Sequence, residues 1–216
     1  MSEYIVREAT LNDVDFIVKA IIEAEKSGSE ILSYSTVFNI SEELLKKLFR
    51  RILLEEIDGC EFSITSYLVV EIGNKVVGTI GAWVEHRETP SSFIKSNLLS
   101  YFLPESSILY ASREARITSE LFIDHVDGAL SLVVVYISPE HRGHNLFELL
   151  TNEHIKRNEG IQELSVQVMA NNIYAIRSYE RYGFKECFTK KSENEKIARF
   201  LPFNEKILMR KQLKSN

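Results

Sequence analysis

Residues 131–157 combine side-chain and backbone features that together could hold an anion. Leu132, Val133, Val134, Val135, Tyr136 and Ile137 form the most apolar run of the chain, Ser138 and Pro139 stop it, and a polar turn then carries Arg142 and Gly143. An amphipathic segment starts near Asn145. This order reads as a buried strand, a tight turn and a helix N-terminus. A helix start offers unpaired backbone N–H groups and the positive end of the helix dipole, which suits a phosphate. Other chemistries find less support. His141, His144 and His154, and the group Asp124-His125-x-Asp127, are metal-ligand types, but no cysteine accompanies them and no HExxH pattern occurs, so no metal is expected. No GxSxG motif is present, and neither Cys60 nor Cys187 has a histidine nearby in sequence, so a nucleophilic route is not indicated.

The elements around this unit follow from periodicity. A first strand starts at Tyr4, and Asn12 or Asp13 looks like the cap of a helix whose stripe is Val14, Ile17, Val18, Ile21 and Ile22. Ser27-Gly28-Ser29 breaks that helix, and a loop rich in Ser and Tyr is expected up to Ile40. Ser41 opens a second helix with Leu44, Leu45, Leu48, Ile52 and Leu53 as its apolar stripe. Residues 67–72 and 76–84 read as strands joined by a hairpin at Gly73-Asn74, with Gly78 and Gly81 marking a close backbone approach or a bulge. Residues 87–130 form an insertion, helical around Phe93 to Phe102 and ambiguous between helix and strand over 106–123. It is too apolar to be a disordered linker, so it should pack as a lid or substrate wall. After the central unit come a strand at 163–168, a short helix at 171–182 stopped by Gly183, and two final strands at 184–188 and 206–213. The expected fold is a single α/β domain over residues 1–216, a mixed sheet flanked by helices.

The bulk properties bound the function. The 216 residues are 44% apolar and 26% charged, as in a globular protein. A net charge of −5 argues against a nucleic-acid partner. No apolar run approaches the roughly 20 residues that span a bilayer, so no membrane partner is expected. The N-terminal residues show no secretory signal and there is no CxxC pair, so the expectation is a cytoplasmic protein. A homodimer is left open.

Two stretches taken together carry a family resemblance. One is Val135-Tyr136-Ile137-Ser138-Pro139-Glu140-His141-Arg142-Gly143-His144-Asn145-Leu146, similar to a strand, a V-x-P-x-x-R-G turn and a helix. The other is Asn172-Ile173-Tyr174-Ala175-Ile176-Arg177-Ser178-Tyr179-Glu180-Arg181-Tyr182-Gly183-Phe184, similar to N-x-x-A-x-x-x-Y-x-x-x-G-F. In this order they resemble the GNAT superfamily of acetyl-CoA-dependent N-acetyltransferases, over nearly the whole chain outside 87–130. The family turn R/Q-x-x-G-x-G/A maps onto Arg142, Gly143, His144, Asn145, Leu146 and Phe147, so Asn145 and Phe147 replace two small residues. Asn145 could adopt an unusual backbone angle or cap the helix. The Phe147 ring must turn away from the cofactor or occupy part of its site.

The resemblance implies acetyl transfer from acetyl-CoA to an amine acceptor by direct attack in a ternary complex. The pyrophosphate would sit on the N–H groups of Gly143, His144, Asn145, Leu146 and Phe147, beside Arg142. The pantetheine arm would pair with the strand edge at Val135, Tyr136 and Ile137, where a backbone N–H polarises the thioester. Asn172 would hold that arm or cap its helix, and Tyr179 would donate a proton to the departing thiolate, although with Ala175 and Tyr182 at helical spacing it could simply pack. An alkyl amine of pKa about 10 is only about one part in a thousand neutral at pH 7, so a base is needed. Glu85 is the first candidate, ahead of His86, Asp124, His125, Asp127 and a water chain. The rival expectation is a catalytically weak module that senses acyl-CoA or docks a partner.

Overall fold

A computed structural model describes residues 3–213 of the chain. The first strand, β1 (Ile5–Glu8), leads into a short 3-10 turn at Leu11–Asp13 and then helix α1 (Val14–Lys26). Val14, Ile17, Val18, Ile21 and Ile22 are buried, as their spacing requires. Asp13 does not cap α1 with its side chain: the carboxylate turns back to accept from the Thr10 amide at 2.8 Å and from Arg7 at 2.7 and 3.0 Å.

The expected loop before residue 40 contains a helix, α2 (Ser33–Phe38), closed by Asn39 in the left-handed region. Aromatic burial explains it. Tyr34 packs edge-on against Phe49 at 5.2 Å, and Phe49 lies 5.0 Å from Phe62. Burying such rings outweighs the weak helix preference of Ser, Tyr and Thr. Helix α3 (Glu42–Leu53) starts at Ser41, whose hydroxyl accepts from the Leu44 amide at 3.2 Å. Its buried face is Leu45, Leu48, Phe49, Ile52 and Leu53, while Leu44 is exposed. Leu44 sits one residue, or about 100° of helix rotation, away from the inward Leu45.

Strands β2 (Tyr67–Ile72) and β3 (Lys75–Val84) form the expected antiparallel hairpin. The insertion then folds as α4 (Ser91–Phe102) and α5 (Glu105–Thr118), which are separated at Pro104 and followed by a 3-10 turn at Ser119–Leu121. The rest is β4 (Leu130–Ile137), α6 (Leu146–Arg157), β5 (Glu163–Met169), α7 (Ile173–Tyr182), β6 (Lys185–Lys191) and β7 (Glu205–Gln212). The seven strands form one sheet in the order β1-β2-β3-β4-β5-β7-β6, in which only β4 and β5 are parallel. α1, α3 and α4 share one hydrophobic cluster, and α6 and α7 share the other with the sheet. Among the described residues no helix is long and apolar enough to cross a membrane.

Strand β4 is irregular along both of its edges. The β4–β5 pairing runs only from Leu130↔Leu164 to Leu132↔Val166, so beyond Leu132 that edge of β4 is unpaired and the strands part. On its other side β4 carries one extra residue against β3, because Gly81 faces Val133 whereas Thr79 faces Tyr136. Val134 takes up the bulge at φ 48, a conformation that a β-branched residue adopts only under constraint. Gly81 permits the crowding, since a Cβ there would lie 2.9 Å from the Tyr67 ring and 3.0 Å from Val133 Cγ2.

Candidate active site

A cavity of about 590 Å³ opens where β4 and β5 part. Val133, Val134 and Val135 form one wall and Val166, Gln167, Val168 and Met169 the facing one. Asn172, Ala175 and Tyr179 of α7 line one end. Elements of the opposite layer line the other end: Glu25 from α1, Tyr34 from α2, Glu61 from the loop before β2, and Lys95 from α4. The insertion therefore contributes directly to this wall. Of the three β4 residues expected at the strand edge, Val135 lines the cavity, while Tyr136 is buried against Phe16 at 5.8 Å and the Ile137 carbonyl accepts from Arg142 Nε at 3.1 Å.

The bulge is held from below. His154 of α6 is buried, and its Nε2 lies 2.9 Å from the carbonyl oxygen of Ile80, the residue opposite the bulge. A carbonyl only accepts, so Nε2 carries the proton. Burial lowers the His154 pKa to about 4, and the ring stays neutral in this role.

The turn after β4 keeps its amides open. Ser138 is anchored by its N–H to the Val77 carbonyl at 2.8 Å, and residues 139–141 form a 3-10 turn. Gly143 and Asn145 then both take positive φ, 85 and 57, and Asn145 makes no side-chain cap. Of the two roles open to Asn145, the backbone one is realised: Asn tolerates the left-handed region better than most side chains. Among the described residues, the amides of Gly143, His144, Asn145, Leu146 and Phe147 donate to no acceptor of the chain. They sit at the N-terminus of α6, where the helix dipole adds positive potential, so they suit a pyrophosphate. The Phe147 ring is directed onto α7, 5.4 Å from Tyr179 and 5.4 Å from Tyr182. Only its side chain is committed there, so its amide remains available.

Asn172 caps α7, its Oδ1 accepting from the Ala175 amide at 3.3 Å, and its Nδ2 reaches Ser27 Oγ at 3.4 Å. Tyr179 is buried among Phe147 and Phe184, and among the described residues its hydroxyl makes no hydrogen bond. Burial pushes its pKa well above the usual phenol value.

Glu85 lies between β3 and α4. It is buried but does not line the cavity; one oxygen accepts from Trp83 Nε1 at 2.7 Å and the other from the Ser91 amide at 2.9 Å. With both oxygens occupied it fastens the start of α4 to the end of β3. His86, Asp124 and Asp127 are exposed, and Asp127 accepts from the Arg87 amide at 2.8 Å. His125 does line the cavity, 5.5 Å from the Trp83 ring, and burial lowers its pKa.

The charged groups that converge on the cavity were not singled out by sequence. Glu61 is held by the Tyr34 hydroxyl and by Lys95 Nζ at 3.4 Å. Burial works to raise the Glu61 pKa, but Lys95 and Tyr34 outweigh it and the net shift is downward. Glu25 behaves differently: burial first, then the Glu61 charge, raise its pKa to about 7. Lys206 of β7 is lowered to about 8 by burial and by Lys95. In sequence Glu25 sits among the charged residues of an amphipathic helix and Lys206 begins a strand, so neither pattern distinguishes it.

Comparison with known proteins gives a consistent result. The family model described as the acetyltransferase (GNAT) family matches residues 34–184. No curated protein matches the chain. An N-acetyltransferase from Staphylococcus aureus Mu50 superposes with a TM-score of 0.69 at 15% identity, covering 96% of this chain and 100% of that one. The structure of yncA from Salmonella typhimurium with its cofactor acetyl-CoA gives 0.54 at 16%, covering 100% and 96%. A mutant agmatine N-acetyltransferase gives 0.57 at 15%, covering 97% and 99%.

Proposed function

The chain belongs to the acetyltransferase (GNAT) family, and on that premise we propose that it moves an acetyl group from acetyl-CoA to a primary amine by direct attack. The observation that carries the reading is the succession of features along β4. The open amides of residues 143–147 follow the end of β4, the edge of β4 beyond Leu132 is unpaired, and the cavity along Val133, Val134 and Val135 is lined by Tyr179 and by four half-buried charged side chains.

In this reading the turn amides bind the pyrophosphate and Arg142 supplies further positive charge nearby. The bulged edge of β4 pairs with the pantetheine arm, and a backbone N–H there polarises the thioester carbonyl. The acceptor nitrogen forms a bond to the carbonyl carbon, the C–S bond breaks, and the sulfur leaves with its electron pair. Tyr179 donates to that sulfur. Its raised pKa keeps it protonated at neutral pH, so the hydroxyl is available as the donor. Glu25 takes the place of Glu85 as the base, because it faces the cavity and its pKa of about 7 lets it accept a proton at neutral pH.

A thermal-shift titration with acetyl-CoA tests the reading. Ligand at about 100 times its dissociation constant stabilises by about 2.7 kcal/mol, an upward shift of roughly 5–10 °C for a chain of this size. Turnover is followed as acetylated amine by mass spectrometry, because Cys187 is exposed and would react in a thiol assay. No shift at millimolar acetyl-CoA overturns the proposal. A shift without product across an amine panel would favour a sensor instead.

A further inference from the structure

The charges that line the cavity do not all have partners. Glu25, Glu61, Lys95 and Lys206 supply two carboxylates and two ammonium groups. Glu61 and Lys95 form an ion pair at 3.4 Å, and the Tyr34 hydroxyl completes the Glu61 carboxylate. Lys206 is left over. Among the described residues its ammonium makes neither an ion pair nor a hydrogen bond, although its side chain reaches the cavity. Glu25 likewise forms no ion pair among the described residues. A mostly enclosed ammonium with nothing to donate to is costly, and so is an enclosed carboxylate. Among the described residues Lys206 has no direct counterpart, and Glu25 has only the Ser33 hydroxyl and the more distant charges of Lys95 and Lys206.

We infer that the acceptor carries a carboxylate beside its amine, as a free amino acid does, with Glu25 facing the ammonium and Lys206 the carboxylate. The inference rests on the acetyltransferase reading and names its substrate class. A zwitterion gives an ion-pair partner to both groups that lack one and adds no net charge to a cavity already balanced between two acids and two bases. An acceptor bearing only amines would satisfy Glu25 but place further positive charge near Lys206 and Lys95. Agmatine, named for one structural relative, carries an amine and a guanidinium and likewise lacks a carboxylate. The remaining wall is largely apolar, with Trp83, Leu99, Leu121, Phe122, Ile123 and Leu201 available to the acceptor's side chain.

The test compares matched pairs that differ only by the carboxylate: L-arginine with agmatine, L-leucine with 3-methylbutylamine, and L-phenylalanine with phenethylamine. Acetylated product is measured at saturating acetyl-CoA for the full chain and for Lys206→Met and Lys206→Arg. The amino acid of the preferred pair should exceed its amine in kcat/KM by about 10- to 100-fold, the value of a charge-assisted hydrogen bond. Lys206→Met should reduce the ratio to within about threefold, and Lys206→Arg should keep most of it. The acetyl-CoA thermal shift of each variant reports whether it is folded. Turnover confined to the amines, or a preference that survives Lys206→Met, overturns this inference while leaving the acetyltransferase reading intact. Absence of the acetyl-CoA shift in the unaltered chain refutes that reading itself.

Discussion

Glu25→Gln should raise the stability of the protein at alkaline pH while removing most of its activity. The Glu25 carboxyl moves from its ordinary 4.5 to about 7 on folding, through burial and the neighbouring Glu61 charge, with Lys95 and Lys206 only partly offsetting them. Between those values the unfolded chain has released this proton and the folded chain still holds it. Stability therefore falls as pH rises, by about 1.4 kcal/mol for each pH unit. The loss begins near pH 4.5, is complete just above pH 7, and amounts to about 3 kcal/mol. Glutamine cannot ionise, so the variant lacks this loss. The attraction between ionised Glu25 and Lys206 is already part of the Glu25 value, so it adds nothing further to this difference. Urea unfolding of both proteins at pH 5 and pH 8 measures it: their difference in unfolding free energy should move by about 3 kcal/mol toward the variant. In parallel, kcat/KM of the unaltered enzyme should rise with pH through about 7, and Glu25→Gln should lose that limb with at least a hundredfold of rate. Parallel stability profiles would refute the burial argument, and an unchanged acidic limb would refute the role of Glu25 as base.

Tyr179→Phe should lower kcat by about 10- to 100-fold with the acetyl-CoA dissociation constant unchanged, read by single-turnover kinetics and titration; because the hydroxyl makes no hydrogen bond among the described residues, unfolding free energy should scarcely move. Glu85→Gln leaves one of the Trp83 and Ser91 donors without its acceptor, so it should cost about 1–3 kcal/mol in urea unfolding yet retain the acidic limb of the rate profile. Phe147→Ala removes the ring from between Tyr179 and Tyr182 and should destabilise by about 1–3 kcal/mol. Its acetyl-CoA dissociation constant, measured by calorimetry, should stay within about threefold; tightening of tenfold or more would mean that the ring obstructs the cofactor path.

The local parts of the site were legible in residue order. The apolar run of β4, its stop at Ser138-Pro139 and the turn at Arg142-Gly143 depend on neighbours a few residues apart. So do the Asn172 cap and the Gly183 stop of α7, and each appeared where its residue types belong. The two motifs, read together, also led to the family. Helix α2 was missed because its stability comes from Tyr34 meeting Phe49 and Phe62, partners distant in sequence.

What the sequence by itself determined was the mixed sheet, most of the element order apart from α2 and α5, and the strand–turn–helix unit around Arg142-Gly143, since periodicity and turn chemistry are properties of short segments. Only the tertiary structure decided which carboxylate faces the cavity. Glu85 and Glu25 both lie near the end of an element, but Trp83 and the Ser91 amide claim the first, while parting of β4 from β5 leaves the second open. The lowered pKa of Lys206 depends likewise on groups brought together from α1, the loop before β2, α4 and β7. Burial and charge proximity are sums over the whole fold, and no spacing along the chain encodes them.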